Sequence, residues 1–374
     1  MSELHLSILA EKKVCWLAAG TEESPEKKED TAKVVISSRI RLARNVKDCF
    51  FPARADDPAL MEIREGCARA VKDAMKELSG NPMLFHMDLL TENDRNFLLE
   101  RHFISREFLN CRKGSALVAD ADAGVFVMIN EEDHLRLQYL APAMALKELW
   151  QKISLLDDRI SCRIPYAFDP AAGYLTGSPS NAGSGMRASA MLHLPALALS
   201  GQLNAVCNAV KVLKLVLRGF NGGNSSMEGN FCQLSNQSTL GETESMTIAR
   251  LEKVISQLVH YESKTRLFLL EKKRDLLLNF AGRSYAIAKY SYSLKSKDAL
   301  NALSGIMLGA EMGMFPKISV PLLKELLLNV QDAHLQLKSG RLLSEEERDS
   351  IRATLLREFL QGKNPLQAKK KHER

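Results

Sequence analysis

Two short apolar runs, Ala116 to Ala119 and the β-branched and aromatic Val125 to Ile129, are separated only by Asp120-Ala121-Asp122-Ala123-Gly124. Apolar runs this short, joined by residues that favour turns, specify a β-hairpin. Three acids follow almost at once, in Asn130-Glu131-Glu132-Asp133-His134-Leu135-Arg136. The hairpin therefore delivers carboxylates at the end of a rigid element. Were the strand to continue, Glu131 and Glu132 would point to opposite sides, one toward a substrate and the other into the loop. Taken alone, the same residues also fit a solvated acidic turn.

Composition sets the outer limits. A chain of 374 residues with 45% hydrophobic residues can build one large or two ordinary domains. The formal net charge of +6 suits anionic ligands, but the excess is too small and dispersed to argue for nucleic acid. The seven cysteines are widely spaced and form no C-x-x-C pair, against both a disulfide framework and a structural zinc site. No basic, apolar leader and no apolar run of about 18 residues is present, so the expected location is the cytoplasm, with no membrane association.

Along the chain, residues 1 to 19 hold an apolar patch that fits neither period cleanly, and Thr21 to Lys33 reads as a charged linker. Val34 to Ser38 reads as a strand running into Ser38-Arg39-Ile40-Arg41-Leu42-Ala43-Arg44-Asn45. Alternation places Arg39 and Arg41 on one face, a guanidinium pair suited to phosphate oxygens, though an exposed edge strand would carry charges in the same way. Asp57-Pro58 opens an amphipathic helix, and Leu140 to Leu156 has roughly helical spacing. Glycines and Pro179 between Gly173 and Arg187 form a loop that lets backbone approach a ligand, before an apolar helix expected from about Arg187. No P-loop or dinucleotide fingerprint occurs. Val212 to Arg218 reads as a strand, followed by a mobile flap over 219 to 226, and helical periodicity takes over from about Ser245, with stops at Gly340 and Gly362.

The motifs S-S-R-I-R-L-A-R-N (37–45), N-E-E-D-H-L-R (130–136), Y-A-F-D-P-A-A-G-Y-L-T (166–176), S-N-A-G-S-G-M-R-A-S (180–189) and G-N-F-C-Q-L-S-N-Q (229–237) occur in this order. Together they resemble the ATP:guanido phosphotransferase (phosphagen kinase) family, and within it the bacterial protein-arginine kinase branch. The resemblance implies an α+β fold, an antiparallel sheet flanked by helices, followed by an all-α C-terminal domain. It implies ATP held by arginines, here Arg39, Arg41, Arg136, Arg187 and Arg218, with Mg²⁺ held through the phosphates rather than by dedicated metal ligands. His102, which alone reads as an ordinary satisfied histidine, matches a position near the nucleotide in that branch. Glu132 matches the principal catalytic carboxylate, with Glu131 beside it.

Two positions depart from the family pattern. Ser178 stands where the family usually has cysteine, and Gly223 where it has a flap glutamate; neither supplies the missing thiolate or carboxylate, and Glu228 is the nearest later acid. Near the C-terminus, Arg348-Asp349-Ser350-Ile351-Arg352-Ala353 matches a motif that the branch associates with phosphoarginine binding. At i and i+4, Arg348 and Arg352 would share a helix face and grip a phosphate while Asp349 receives a guanidinium; an ordinary charged face has the same spacing. The expected organisation is an N-terminal segment over 1–32, a catalytic domain over 33–244 and a helical domain over 245–374. The expected activity is ATP-dependent phosphorylation of arginine side chains in proteins, in protein quality control. Arginine-containing proteins are the expected substrates, and protease or chaperone machinery and a second copy in a homodimer are candidate partners. The alternative is a weakly active pseudokinase adaptor that binds ATP and phosphoarginine.

Overall fold

The structure, a computed structural model, describes residues 9, 12, 14–17, 26–219 and 227–363. It comprises two compact units: one holds residues up to Leu192 with Ala205–Leu217 and Gln233–Val259, the other His193–Asn204, Arg218–Cys232 and the chain from His260 onward.

The first unit is built on a sheet of eight strands: β1 (Val35–Arg44), β2 (Met83–His86), β3 (Ala116–Asp120), β4 (Val125–Ile129), β5 (Leu135–Pro142), β8 (Met186–His193), β9 (Leu215–Gly219) and β10 (Phe231–Asn236). Their order across the sheet is β2-β3-β4-β5-β1-β8-β10-β9. A separate two-stranded ribbon joins β6 (Phe168–Asp169) to β7 (Gly173–Tyr174). The expected hairpin is β3 and β4, in antiparallel register with Val118 opposite Val127. Asp120 closes its turn by accepting from the N–H groups of Asp122 and Ala123, both at 3.1 Å. Gly124 at φ +72° ends it, where a Cβ would lie 2.4 Å from the carbonyl oxygen of Leu140. Every residue of both strands is buried; helix Asp57–Glu77 packs on β3 and β4, and helix Leu146–Ser161 on β1 and β5.

Several local expectations give way. Helix Glu26–Val34 occupies most of the expected linker; its Glu, Lys and Ala content favours helix, and Pro25 falls just before the start, where proline is tolerated. The helix expected from about Arg187 is instead β8. Flanked by β1 and β10, this central strand is buried on both faces, so its apolar run carries no strand-like alternation. Leu140 lies in β5, and the helix after it starts only at Leu146. The cap of helix Asp57–Glu77 is Asp56, whose side chain accepts from the Ala59 N–H at 2.9 Å. Val212 ends helix Leu203–Val212, and Lys214 at φ +55° turns the chain into β9. The flap expected over 219 to 226, including Gly223, lies almost wholly outside the described residues.

The second unit is mainly helical, with helices Arg274–Tyr290, Ser296–Glu311, Val320–Asn329, Asp332–Ser339 and Glu345–Leu360. Gly305 permits close helix packing, since a Cβ there would meet the side chain of Ser284. Gly340 caps Asp332–Ser339 in the left-handed conformation, as its predicted stop requires.

Candidate functional site

Antiparallel pairing decides which side chains of the first unit share a face. β1 sets Arg41 opposite Arg187 and Arg39 opposite Ser189 on β8; on its other side it sets Arg41 opposite Gln138 and Ala43 opposite Arg136 on β5. Residues directly opposite in a sheet point the same way. Arg39, Arg41, Arg136 and Arg187 therefore lie on one face, while Ile40 and Leu42, both fully buried, fill the other. Burial first, then Arg136 and Arg187, lowers the Arg39 guanidinium to about 10. Burial and the neighbouring arginines push Arg41 down as well, and its Nε is buried without a hydrogen-bond partner. Such a face is prepaid for a polyanion.

Glu131 is the acid set against this face. Burial alone would raise it, but Arg136 outweighs burial, donating through Nη1 at 2.5 and 2.7 Å, and Ser105 adds a further donor. Glu131 is thus an anchored carboxylate held below its ordinary range. Asn130, at φ +57°, ends β4, so strand alternation does not separate the acids; the turn itself does. Glu132 is exposed, and burial of its surroundings, then Asp133 and Glu131, raise it above the usual carboxylate value. It is the acid in this loop that is accessible to an incoming group.

Sequence reasoning missed the residues that hold this loop. Asp133 is buried; its Oδ1 accepts from the Gly177 N–H and from Asn45 Nδ2, both at 2.6 Å. Asn45 Oδ1 accepts from the His134 N–H at 2.9 Å, and its Nδ2 also donates to Leu175 O at 3.1 Å. The His134 ring takes the Val46 N–H on Nδ1 at 3.1 Å and lies 3.1 Å from Phe50 O through Nε2; burial lowers it to about 4, so it is neutral. The signal was available as Asn45 directly after the R-I-R-L-A-R run and Asp133-His134 directly after the glutamates. Arg44 in that run is structural: it donates to Asp157 at 2.7 Å and stacks 3.5 Å over the Tyr174 ring.

The glycine-rich stretch is close backbone packing. Gly183 at φ +98° abuts Thr239 O, which a Cβ would reach at 2.6 Å, and Gly185 at φ +64° lies against Arg44. Ser178, one residue beyond Gly177, has its hydroxyl 3.0 Å from that of Ser180.

The remaining expected residues fall elsewhere. His102, at φ +60°, has its ring centroid 4.9 Å from that of Trp16; burial, then Arg39, lowers it to about 3, so it is a neutral imidazole within range of the arginine face. Arg218, exposed on β9, belongs to the second unit. In that unit the two arginines expected to share a helix face differ in burial. Arg352 is 1% exposed and spends its guanidinium inside, on Val330 O at 2.6 Å, Leu294 O at 2.7 Å, Asp349 and Asp332. Helix Glu345–Leu360 packs this side inward, so i, i+4 spacing does not make a solvent-facing pair. Arg348 stays partly open, donating to Leu343 O at 3.0 Å.

Residues 62–265 match the ATP:guanido phosphotransferase, C-terminal catalytic domain family. The chain belongs to the ATP:guanido phosphotransferase family. Residues 274–372 match a second family, the protein-arginine kinase McsB C-terminal domain. The protein-arginine kinase of Halothermothrix orenii is 39% identical over 326 residues, covering 87% of this chain and 92% of the relative. That of Brevibacillus brevis is 39% identical over 329 residues, covering 87% and 92%. Within the ATP:guanido phosphotransferases this chain therefore lies in the protein-arginine kinase branch. A duplicated taurocyamine kinase from Schistosoma mansoni shares the fold, with a TM-score of 0.56 and 23% identity over 68% of this chain and 36% of that one. No helix among the described residues is long and apolar enough to cross a membrane.

Proposed function

We propose that this protein transfers the γ-phosphoryl group of ATP to arginine side chains of proteins. The observation that supports the reading is the gathering of Arg39, Arg41, Arg136 and Arg187 on one sheet face, bordered by the exposed carboxylate of raised pKa, Glu132. Arg39, Arg41, Arg136 and Arg187 bind the phosphates and neutralise charge on the transferring group, with His102 as a neutral neighbour of the nucleotide. When bound, Mg²⁺ supplies charge neutralisation through phosphate oxygens, and the arginine-rich face fits that arrangement, in which phosphates rather than protein side chains hold the ion. Glu132 orients the acceptor guanidinium and takes its proton, because a protonated guanidinium is a poor nucleophile. Glu131, tied to Arg136, sets the position of that arginine. Residues 33–244 carry this chemistry. The helical segment 245–374 reads phosphoarginine through Arg348, with Asp349 and Arg352 as its support.

Incubation with γ-labelled ATP and an arginine-rich protein is expected to give acid-labile label on arginine. Absence of transfer by the wild-type protein would favour the adaptor reading, for which Ser178, a hydroxyl in the loop beside Glu132, is the supporting feature. A separate expectation concerns the phosphate clamp. Arg187→Ala or Arg41→Ala removes a charge-assisted contact of about 1.5 to 3 kcal/mol, so ATP affinity measured by calorimetry falls by roughly tenfold or more. Unchanged affinity in both variants would remove the clamp.

A further inference from the structure

The acidic loop and the loop carrying Ser178 are separate in sequence, and the structure joins them at one buried atom. Asp133 Oδ1 receives the Gly177 N–H and Asn45 Nδ2, both at 2.6 Å. Asn45, fully buried, also holds the His134 N–H and Leu175 O. Gly177 lies so close to the acidic loop that a Cβ on it would be 2.7 Å from Glu132 O and 3.3 Å from Glu132 Cγ. The chain is therefore cross-linked, without covalent bonds, within one residue of Glu132 on one side and within one residue of Ser178 on the other.

We propose that Asn45 and Asp133 are positioning residues that lock these two loops in register, so that an acceptor guanidinium reaching Glu132 is presented in one orientation. The proposal rests on the phosphotransferase reading above. Neither residue touches the reacting atoms. Their work is geometric, since a misplacement of about 1 Å in a reacting group can cost on the order of 10²-fold. Asp133 has a second effect through its charge: beside burial, and with Glu131 and Glu107, it raises Glu132, while Arg136 lowers it.

The two contributions separate by substitution. Asp133→Ala deletes the shared acceptor; Asp133→Asn keeps an Oδ1 for both donors and removes the charge. Steady-state transfer from ATP to an arginine-rich protein, measured from pH 5 to 9 with each substrate varied, distinguishes them. Asp133→Ala and Asn45→Ala are expected to raise KM for the acceptor roughly tenfold or more and to lower kcat, with KM for ATP within about twofold of wild type. Asp133→Asn is expected to hold the acceptor KM within about threefold, while the acid limb of kcat moves to lower pH as Glu132 loses a like-charged neighbour. Equal changes in both KM values, no change in either, or an Asp133→Asn acceptor KM matching that of Asp133→Ala would overturn the tie. If either alanine variant fails to fold, judged by its thermal transition, Asp133→Asn still decides through its acceptor KM and pH profile. Should wild type itself transfer no phosphate, the phosphotransferase reading fails instead, a result distinct from active wild type with indifferent variants.

Discussion

Glu132→Gln is expected to reduce phosphoryl transfer by about 10² to 10⁴-fold while leaving ATP affinity nearly intact. Glutamine preserves the shape and an acceptor oxygen but cannot take a proton. The exposed position of Glu132, apart from the pairing that occupies Glu131, makes it the carboxylate of the loop available for this step. Its pH dependence has a definite sign. Glu132 acts deprotonated, and burial together with Asp133 and Glu131 raises its pKa, so activity is full at high pH and is lost as pH falls through a value above the ordinary carboxylate range. Single-turnover rates with calorimetry on the same variant check it; equal losses of rate and of ATP affinity would make Glu132 a binding residue. Ser178→Cys in the wild-type background should raise the rate, because it restores the thiol that the family usually has there.

Arg352→Ala is expected to destabilise the helical unit by about 3 to 5 kcal/mol, as removal of one partner from a buried ion network does. The variant strands Asp349 and leaves Val330 O and Leu294 O without their donor. Denaturant titration should show a lowered midpoint, and at the upper end of this range an unfolded unit at physiological temperature. Arg348→Ala is the contrast. Its side chain is 21% exposed against 1% for Arg352 and its partner Asp332 is 53% exposed, so its stability cost is the smaller of the two, while affinity for a phosphoarginine peptide should fall by roughly tenfold. A similar stability loss in both variants, or no loss of peptide binding by Arg348→Ala, would contradict this division.

The sequence was most legible where side-chain periodicity and backbone chemistry agreed. The hairpin of β3 and β4 follows from two apolar runs and the turn Asp120-Ala121-Asp122-Ala123-Gly124, and the common face of Arg39 and Arg41 follows from alternation alone. Arg136 and Arg187 joined that face only through cross-strand register, which local pattern does not contain. The strand β8 was misread as a helix because burial on both faces erases the alternation that marks a strand. The burial of Arg352 was not legible for a related reason: i, i+4 spacing shows that two side chains share a face, but not which way the face points. The tie through Asn45 and Asp133 depends on contacts across 88 residues, and its members are residue types common in turns.

The gathering of Arg39, Arg41, Arg136 and Arg187 has a consequence for the lifetime of the protein. Like charges held together on one sheet face repel one another in the folded chain, and a polyanion bound there relieves that repulsion only in that state. Ligand that binds the native form and not the unfolded one adds stability in proportion to the logarithm of its concentration above the dissociation constant. A nucleotide bound at this face would therefore be a folding partner as well as the proposed phosphoryl donor. Thermal denaturation with and without ATP is expected to show a transition that rises with nucleotide concentration.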